Sequence, residues 1–547
     1  MKDGVLLKRL KVLLLLISDE GNDVCINVYT CSAANYLTSY LRAKRHIVTT
    51  ITKGAEELKK LDFKTIEWFK PDIIGINFIS PELAKGFTEI KEEHPNLLIC
   101  YGIGMPVING EDILKGFPFI DYVCYGEGEL TWENLLKRLE SGEGLDNVKG
   151  LVYRKDGEVI KNGPEDLIDI NSLPFIDITF PPFYEPETCI KVIIETSRGC
   201  TNNCSFCSMR HAQRKYRAKD VGTVVDEIEH MTKAYYIYDF QFSDLSFEDP
   251  NPKRLTALLQ EIVNRDLNIS FEANFRPNFI KKVTPEISDL LIKSRLYGAF
   301  IGIETANEDD LRLYHKGSTI EDAGSVISYF RDMGVHVNIG FIMFNPYSTI
   351  ERLRQNVKFL EQYGLADFST IRSILIDADG MPIHDRIMQD DIPLVGEKKF
   401  MDKNVGELYR FIHHYIHIKK HLGETADAYQ EALGFLKTIS HDIITAKRRE
   451  QPEVQDALIQ HYKKMLALTF SISAYICRWF NRLLDLAESG FDIKEAVEIS
   501  ANYMNSDLIK EANQMITDEF DKAHKVLFPE VILKQEIQKY GGNLCLK

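Results

Sequence analysis

Glu195-Thr196-Ser197-Arg198-Gly199-Cys200-Thr201-Asn202-Asn203-Cys204-Ser205-Phe206-Cys207 is the stretch on which the reading of this chain turns. It follows the apolar run Ile190–Thr196, which reads as a strand, so the cysteines fall just past the strand's carboxyl end. The three thiols are separated by three and then two residues. At that spacing a short loop can wrap three thiolates around one face of a four-iron cluster. Three protein ligands leave one iron open. Such an iron can hold the amino and carboxylate groups of S-adenosylmethionine and pass an electron to its sulfonium, which releases a 5′-deoxyadenosyl radical. Zinc is the alternative occupant, but structural zinc takes four protein ligands, and only His211 lies nearby as a fourth.

Working outward, six strand-like runs occur between Ile190 and Ile376: Ile190–Thr196, Ile237–Phe242, Asn268–Asn274, Gly298–Glu304, Val335–Phe344 and Thr370–Ile376. Helical patterns such as Val221–Lys233, Pro252–Arg265 and Ile350–Tyr363 follow the earlier ones. Six such βα units predict a partial TIM-like barrel, a fold that places its chemistry at the carboxyl ends of its strands. Upstream, Val12–Ile17, His46–Ile51, Asp72–Ile79, Asn96–Tyr101 and Tyr122–Tyr125 alternate with the helical patterns Ser32–Lys44, Glu56–Phe69 and Pro81–His94. This is the pattern of a doubly wound, flavodoxin-like domain, whose ligands bind beyond the carboxyl ends of its strands. Between the two lie an Asp156-Gly157 hairpin within Gly150–Ile160 and a proline-rich linker, Pro174–Pro186. After Lys398 strand signals vanish, and amphipathic patterns run to Gln538 with breaks near Gly423, Pro452 and Gly490. The α/β chain is therefore divided into a doubly wound domain (1–145), a hairpin and linker (146–188), a partial barrel (189–397) and an all-α carboxy-terminal domain (398–547).

A length of 547 residues fits several domains, and 44% hydrophobic with 27% charged residues is ordinary globular composition. The net charge of −15 argues against a protein built to grip a phosphate backbone, so nucleic acid is not an expected partner. The run Val12–Ile17 is far short of the ~20 apolar residues that a membrane span needs, and it reads as a buried strand. Ten cysteines without an export signal suit a reducing compartment, where clustered thiols bind metals; a cytoplasmic location is expected.

The cysteine loop, its place after the first barrel strand and the aromatic Phe206 before its last cysteine resemble the radical S-adenosylmethionine superfamily. The resemblance implies a 4Fe-4S cluster on Cys200, Cys204 and Cys207, with Phe206 near the adenine. It places Ser243 and Asp244, at the end of the second strand, by the methionyl amine. Glu304, ending the fourth, would meet the ribose, and Arg276, closing the third, suits the methionyl carboxylate because its fork matches that geometry. A departure follows the fifth strand, where Phe344-Asn345-Pro346-Tyr347-Ser348-Thr349 replaces the glycine-rich turn of many relatives.

A doubly wound domain ahead of such a barrel is similar to the cobalamin-binding domain of cobalamin-dependent radical enzymes; the likeness runs from about Lys11 to Pro382, with Asp121-Tyr122-Val123-Cys124-Tyr125-Gly126-Glu127-Gly128-Glu129 its most recognisable piece. It implies corrinoid contacts from Asn77, Ser80, Gly102, Gly104, Gly126 and Glu127, with the glycines letting backbone approach a flat macrocycle. The DxHxxG motif is absent; the corresponding loop reads Ser18-Asp19-Glu20-Gly21-Asn22-Asp23. Asn77 stands where relatives often have serine.

The combined resemblance implies a C-methyltransferase. One S-adenosylmethionine would methylate reduced cobalamin, and a second would yield the radical that abstracts hydrogen from an unactivated carbon of a small metabolite or peptide. An external donor such as flavodoxin or ferredoxin would supply electrons. Two alternatives stay open: a cyclase or rearrangement enzyme with the same cofactors, and a cobalamin or cluster sensor that turns nothing over. His413, His417 and His421 share a helical face but read as a solvated or substrate-facing stripe. The basic run His211–Lys219 is either a phosphate contact or a solvated turn. Cys25, Cys31, Cys100 and Cys124 form no second closely spaced triplet, which separates the chain from methylthio-transferring relatives.

Overall fold

Runs that are apolar at every position, not at alternate ones, form strands covered on both faces. Val12–Ile17 is such a run, with no side chain more than 4% exposed. The structure, a computed structural model, describes residues 9–18, 31–54, 63–103, 109–178, 191–209, 215–248, 250–418, 420–448, 452–504 and 507–527. They form two compact units, one drawn from Met1–Thr201, Cys207–Phe247 and Asn264–Ile269, the other from Asn202–Phe206, Glu248–Val263 and Ser270–Lys547.

In the first unit, β1 (Lys11–Ser18), β2 (Ile47–Gly54), β3 (Ile73–Ile76), β4 (Leu98–Tyr101) and β5 (Tyr122–Cys124) run parallel in the order β2-β1-β3-β4-β5. The chain reverses its winding between β1 and β3, which opens a crevice beyond their carboxyl ends. Helices Ser32–Ala43, Pro81–Glu93 and Gly128–Ser141 are among the crossovers. Of the helix expected at Glu56–Phe69, the described part is Phe63–Phe69.

The hairpin expected between the domains does something else: β6 (Leu151–Lys155) pairs antiparallel with β5, and β7 (Glu158–Lys161) with β6. Leu151, Val152 and Tyr153 are buried, so the hairpin finishes the first sheet by covering what would otherwise be an open edge. Its turn has positive φ at Asp156 (52°) and Gly157 (86°), which the Asp-Gly pair accommodates. The same unit holds β8 (Lys191–Ile194), a short antiparallel pair of β9 (Ser197–Arg198) with β10 (Arg217–Ala218), and β11 (Asp239–Phe242), parallel to β8.

In the second unit β12 (Ser270–Phe275), β13 (Leu296–Glu304) and β14 (His336–Phe341) are parallel neighbours backed by helices, with Phe275, Phe279 and Phe330 packed between the layers. The sixth strand expected at Thr370–Ile376 is reduced to a single parallel bridge between Phe344 and Ile374. Local chemistry explains this: Asp367 and Thr370 form a capping box that winds Phe368–Arg372 into a helical turn.

Helices Lys403–Ile418, Lys420–Arg448, Pro452–Ser489, Ile493–Met504 and Asp507–Leu527 complete this unit. Gly423 lies inside a helix and does not break it, since a lone glycine costs only about 1 kcal/mol there. Helix Lys420–Arg448 packs against β13 and β14. Its Lys437 pairs with Glu272 at 2.7 Å and its His441 meets the Ser270 hydroxyl at 2.9 Å. Among the described residues no helix is long and apolar enough to cross a membrane.

Candidate active site

Glutamates and arginines that lie far apart in sequence converge around the start of the cysteine loop. Arg198, two residues before Cys200, donates through Nε to Glu195 and through Nη2 to Glu129, both at 2.7 Å, and lies 3.8 Å from Glu127. All four side chains are at least 94% buried. Burial alone would raise the Glu129 carboxyl, but the Arg198 guanidinium outweighs it and holds the group below the usual carboxylate range. Glu195 also accepts from the Ser32 hydroxyl at 3.1 Å, which brings the start of helix Ser32–Ala43 to the same point.

Asp244 is 1% exposed and ties the loop down from the other side. It accepts from Thr196 N at 3.1 Å, from the Thr196 hydroxyl at 2.8 Å and from the Ser197 hydroxyl. Ser243 donates to the Ile194 carbonyl at 3.3 Å. Gly199 has φ +83°, and a side chain there would collide with the Lys215 carbonyl; the β9–β10 ladder runs that close. Cys200, Cys204 and Cys207 are half-exposed and none is in a disulfide. Among the described residues no three His, Cys, Asp or Glu side chains gather around one metal ion. A four-iron cube asks for thiolates at separate corners, not around a single point, and three thiols on one short loop supply that donor set.

Within the second unit, the loop residues Ser205 and Phe206 are fixed from outside. Ser205 donates through N to Tyr314 O at 3.0 Å and through its hydroxyl to Leu313 O at 2.7 Å, and accepts from Ile383 N at 3.2 Å. Phe206 meets the Tyr314 ring edge-on at 5.2 Å, with Lys316 Nζ 6.0 Å from its centroid. Lys316 is 5% exposed and donates to Glu304 Oε1 at 2.7 Å, while Arg276 donates to the Lys316 carbonyl at 2.5 Å. Glu304 has φ +71° beside a register shift in β13; a non-glycine residue in that region is strained, and such strain collects at ligand sites.

On the first sheet, Asn77 accepts from Ile17 N at 2.7 Å and donates to Ile17 O at 3.1 Å, stapling β1 to β3 at the switch point. Ser80 caps helix Pro81–Glu93 by accepting from Leu83 N. Gly102 and Gly126 take φ values of 116° and 84°, and the space beside Gly126 is open. Glu127 is committed to Arg217, to Arg198 and to Ile168 N. Gly104 and the residues 19–30 lie outside the described residues. Open backbone is thus present at Gly126, while Asn77, Ser80 and Glu127 bond to the protein itself.

Other expectations sort as follows. Arg217 and Lys219 of the basic run are used internally, Lys219 pairing with buried Glu227 at 2.8 Å and lying 4.1 Å from the Tyr36 centroid; His211 to Arg214 lie outside the described residues. His413 stacks on Tyr409, whereas the side chains of His417 and His421 are outside the described set. Asn345, in the departing turn, is fully buried and donates to the Tyr314 hydroxyl at 2.9 Å, so that turn supports the residues behind Phe206. Cys100 and Cys124 lie 3.5 Å apart in the core, where burial pushes the Cys100 thiol up and keeps it protonated. Sequence reasoning missed Glu129, Glu195, Arg198, Tyr314 and Lys316. Their only signal was proximity in sequence to a motif or a strand end.

Residues 194–360 match the family model described as the radical SAM superfamily. An uncharacterised methyltransferase of Pyrococcus horikoshii is 28% identical over 335 residues, which is 60% of this chain and 72% of that protein. An anaerobic magnesium-protoporphyrin IX monomethyl ester cyclase of Rubrivivax gelatinosus is 28% identical over 350 residues, 60% of this chain and 61% of its own. The solved structure of the cobalamin-dependent S-adenosylmethionine radical enzyme OxsB with aqua-cobalamin bound shares the fold over 93% of this chain and 84% of that one, with TM-score 0.61 and 18% identity.

Proposed function

Since residues 194–360 match the family model of the radical SAM superfamily, we propose that the chain is a cobalamin-dependent methyltransferase acting on an unactivated carbon of a small metabolite or peptide. The observation that carries the reading is the buried Arg198 junction, which joins the start of the cysteine loop to Glu127 and Glu129 at the carboxyl end of β5. The start of the cluster loop is thereby tied to the β5 end of the first sheet, where a macrocycle would lie. The fold shared with OxsB supports the same pairing of cofactors.

When bound, the cluster would supply an electron, S-adenosylmethionine the 5′-deoxyadenosyl radical and cobalamin the methyl group. The protein's own work is placement. Cys200, Cys204 and Cys207 would ligate three irons. Phe206, backed by Tyr314, offers a ring face for an adenine, and Ser243, Arg276 and Glu304 sit at strand ends where polar groups of the cofactor would lie. Asp244 fixes Thr196 and Ser197 ahead of the cysteine loop. Asn77, Ser80, Gly102, Gly126 and Glu127 shape the corrinoid crevice. A small external reductant such as flavodoxin or ferredoxin would be the electron donor.

The cyclase relative favours a second reading in which the same machinery closes a ring. One experiment separates these. Protein reconstituted anaerobically with iron, sulfide and cobalamin is given S-adenosylmethionine, strong reductant and a metabolite extract. A product heavier by one methylene unit supports methyl transfer; 5′-deoxyadenosine with a product of unchanged or lower mass supports cyclisation. Absence of both 5′-deoxyadenosine and an iron cluster would remove the basis of either.

A further inference from the structure

In the second unit a cavity of about 450 Å³ opens between the loop that leaves β13 and the helices Ile320–Asp332 and Ile350–Gln362. Sites for small molecules commonly occupy about 300–1,000 Å³, so this one is of a size for a metabolite of few atoms. None of the residues assigned above to a cofactor lines it. Its wall is held in place by the protein itself. Asn356, 1% exposed, accepts from the Thr305 hydroxyl at 3.0 Å and from Ala306 N at 2.8 Å. Asn307 accepts from Asp309 N at 2.9 Å and from Asp310 N at 3.1 Å, and donates to Gln355 across the cavity. A wall already ordered lowers the entropic cost of binding.

The lining combines an apolar floor with one charge of each sign. Ala306, Ile320 and Phe359 supply the floor. Three charged side chains line the cavity: Glu308, Asp309 and Lys358. Asp309 is committed to Arg312 and, at 3.3 Å, to Arg352. Glu308 and Lys358 are exposed, and neither has an ion-pair partner among the described residues, so they face the same cavity without neutralising each other. Gln355 uses its carbonyl oxygen to accept from Asn307, which leaves its amide nitrogen as a donor on the side of Lys358, three residues on along the same helix.

We propose that this cavity binds a free α-amino acid with an apolar side chain, at a site apart from the cysteine loop. The ligand's carboxylate meets Lys358 and the Gln355 amide, its ammonium meets Glu308, and its side chain lies on Ala306, Ile320 and Phe359. Charge-assisted hydrogen bonds of this kind are the stronger ones, and a ligand with both charges engages both ends at once. A molecule with a single charge leaves one end of the cavity unanswered. The inference goes beyond the methyltransferase reading and does not depend on it.

The test uses the full chain, reconstituted anaerobically and saturated with S-adenosylmethionine without reductant, so that no turnover occurs and any site for the cofactor's own amino-acid group is filled. L-leucine is the probe. The controls are 4-methylpentanoate, which is leucine without its amine, and 3-methylbutylamine, which is leucine without its carboxylate; binding is read by isothermal titration calorimetry. Leucine binds, and each control binds at least tenfold more weakly. Lys358→Met and Glu308→Gln each weaken leucine at least tenfold. Each variant also loses one discrimination: Lys358→Met no longer prefers leucine to 3-methylbutylamine, and Glu308→Gln no longer prefers it to 4-methylpentanoate. Both altered side chains are exposed, and circular dichroism and melting establish that the variants are folded. No binding of leucine to the unaltered protein, equal binding of leucine and either control, or undiminished binding to either variant overturns the proposal.

Discussion

Replacing Arg198 by methionine keeps most of the side chain's length and apolar contact while deleting its charge. It leaves Glu129 and Glu195 buried, each stripped of a partner at 2.7 Å, with only Arg217 still paired to Glu127. Breaking a buried pair from one side costs about 3–5 kcal/mol, because the other charge stays in a poor solvent. At about 1.4 kcal/mol per tenfold, local opening of segments 127–133 and 195–201 becomes roughly a hundred- to several-thousand-fold more frequent. Amide hydrogen exchange by mass spectrometry reads this directly. The pH dependence has a definite sign. In the native protein Glu129 is held below its usual range, so its contribution is present above the unfolded pKa of 4.5 and is lost as pH falls through the depressed folded value. Without Arg198, burial pushes the same carboxyl above its unfolded value. The protonated form is then favoured, and the variant's deficit shrinks as pH drops from neutral toward the carboxylate range. Arg198→Lys restores charge without the fork and falls between the two. Exchange in Arg198→Met within threefold of the native rate, or a deficit independent of pH, would refute the reasoning.

Asp244→Ala strands the Thr196 amide and two hydroxyls; a loss of about 2–3 kcal/mol is expected from unpaired buried donors, seen as a lower urea midpoint for the first unit, while Asp244→Asn recovers part of it. Gly75→Ala in β3 puts a methyl 2.5 Å from Ile103 Cδ1 and 3.0 Å from both Leu14 and Trp132, so overpacking by about 1–3 kcal/mol is expected; a neutral result would mean that the sheet yields locally. Glu519 is drawn down to about 2, burial being outweighed by Lys522, His461 and Lys464. Its stabilising effect is present above pH 4.5 and lost between 4.5 and about 2, so acid melting of the helical region should steepen there, and Glu519→Gln should flatten that step.

Much of this was readable from residues. Continuous apolar runs marked the buried parallel strands, and the cysteine spacing marked the loop, because both depend on neighbours in sequence. The hairpin was visible through Asp156-Gly157, but not its partner: pairing of β6 with β5 is settled by an unfilled sheet edge, which no local pattern records. The apolar run at Thr370–Ile376 looked like a strand because periodicity cannot weigh a capping box against a distant edge. Arg198, Glu129 and Lys316 were silent for a related reason. A buried ion pair exists only once the chain brings its halves together from positions 69 and 12 residues apart, so a charge beside a motif carries no mark of its future partner.

The long helices after Lys398 have a bearing on how such a chain can be cut or recombined. Tyr429 donates to the Gly364 carbonyl at 2.8 Å, the Ser473 hydroxyl accepts from Ala366 N at 2.9 Å, and His441 meets Ser270. These side chains satisfy backbone and hydroxyl groups of the strand-bearing part of the second unit that would otherwise be left wanting. The helical segment is therefore a structural wall and not a detachable accessory: a shortened gene ending before Lys403 would yield insoluble polypeptide, and grafting a foreign tail would succeed only if it brought equivalent groups to Gly364, Ala366 and Ser270.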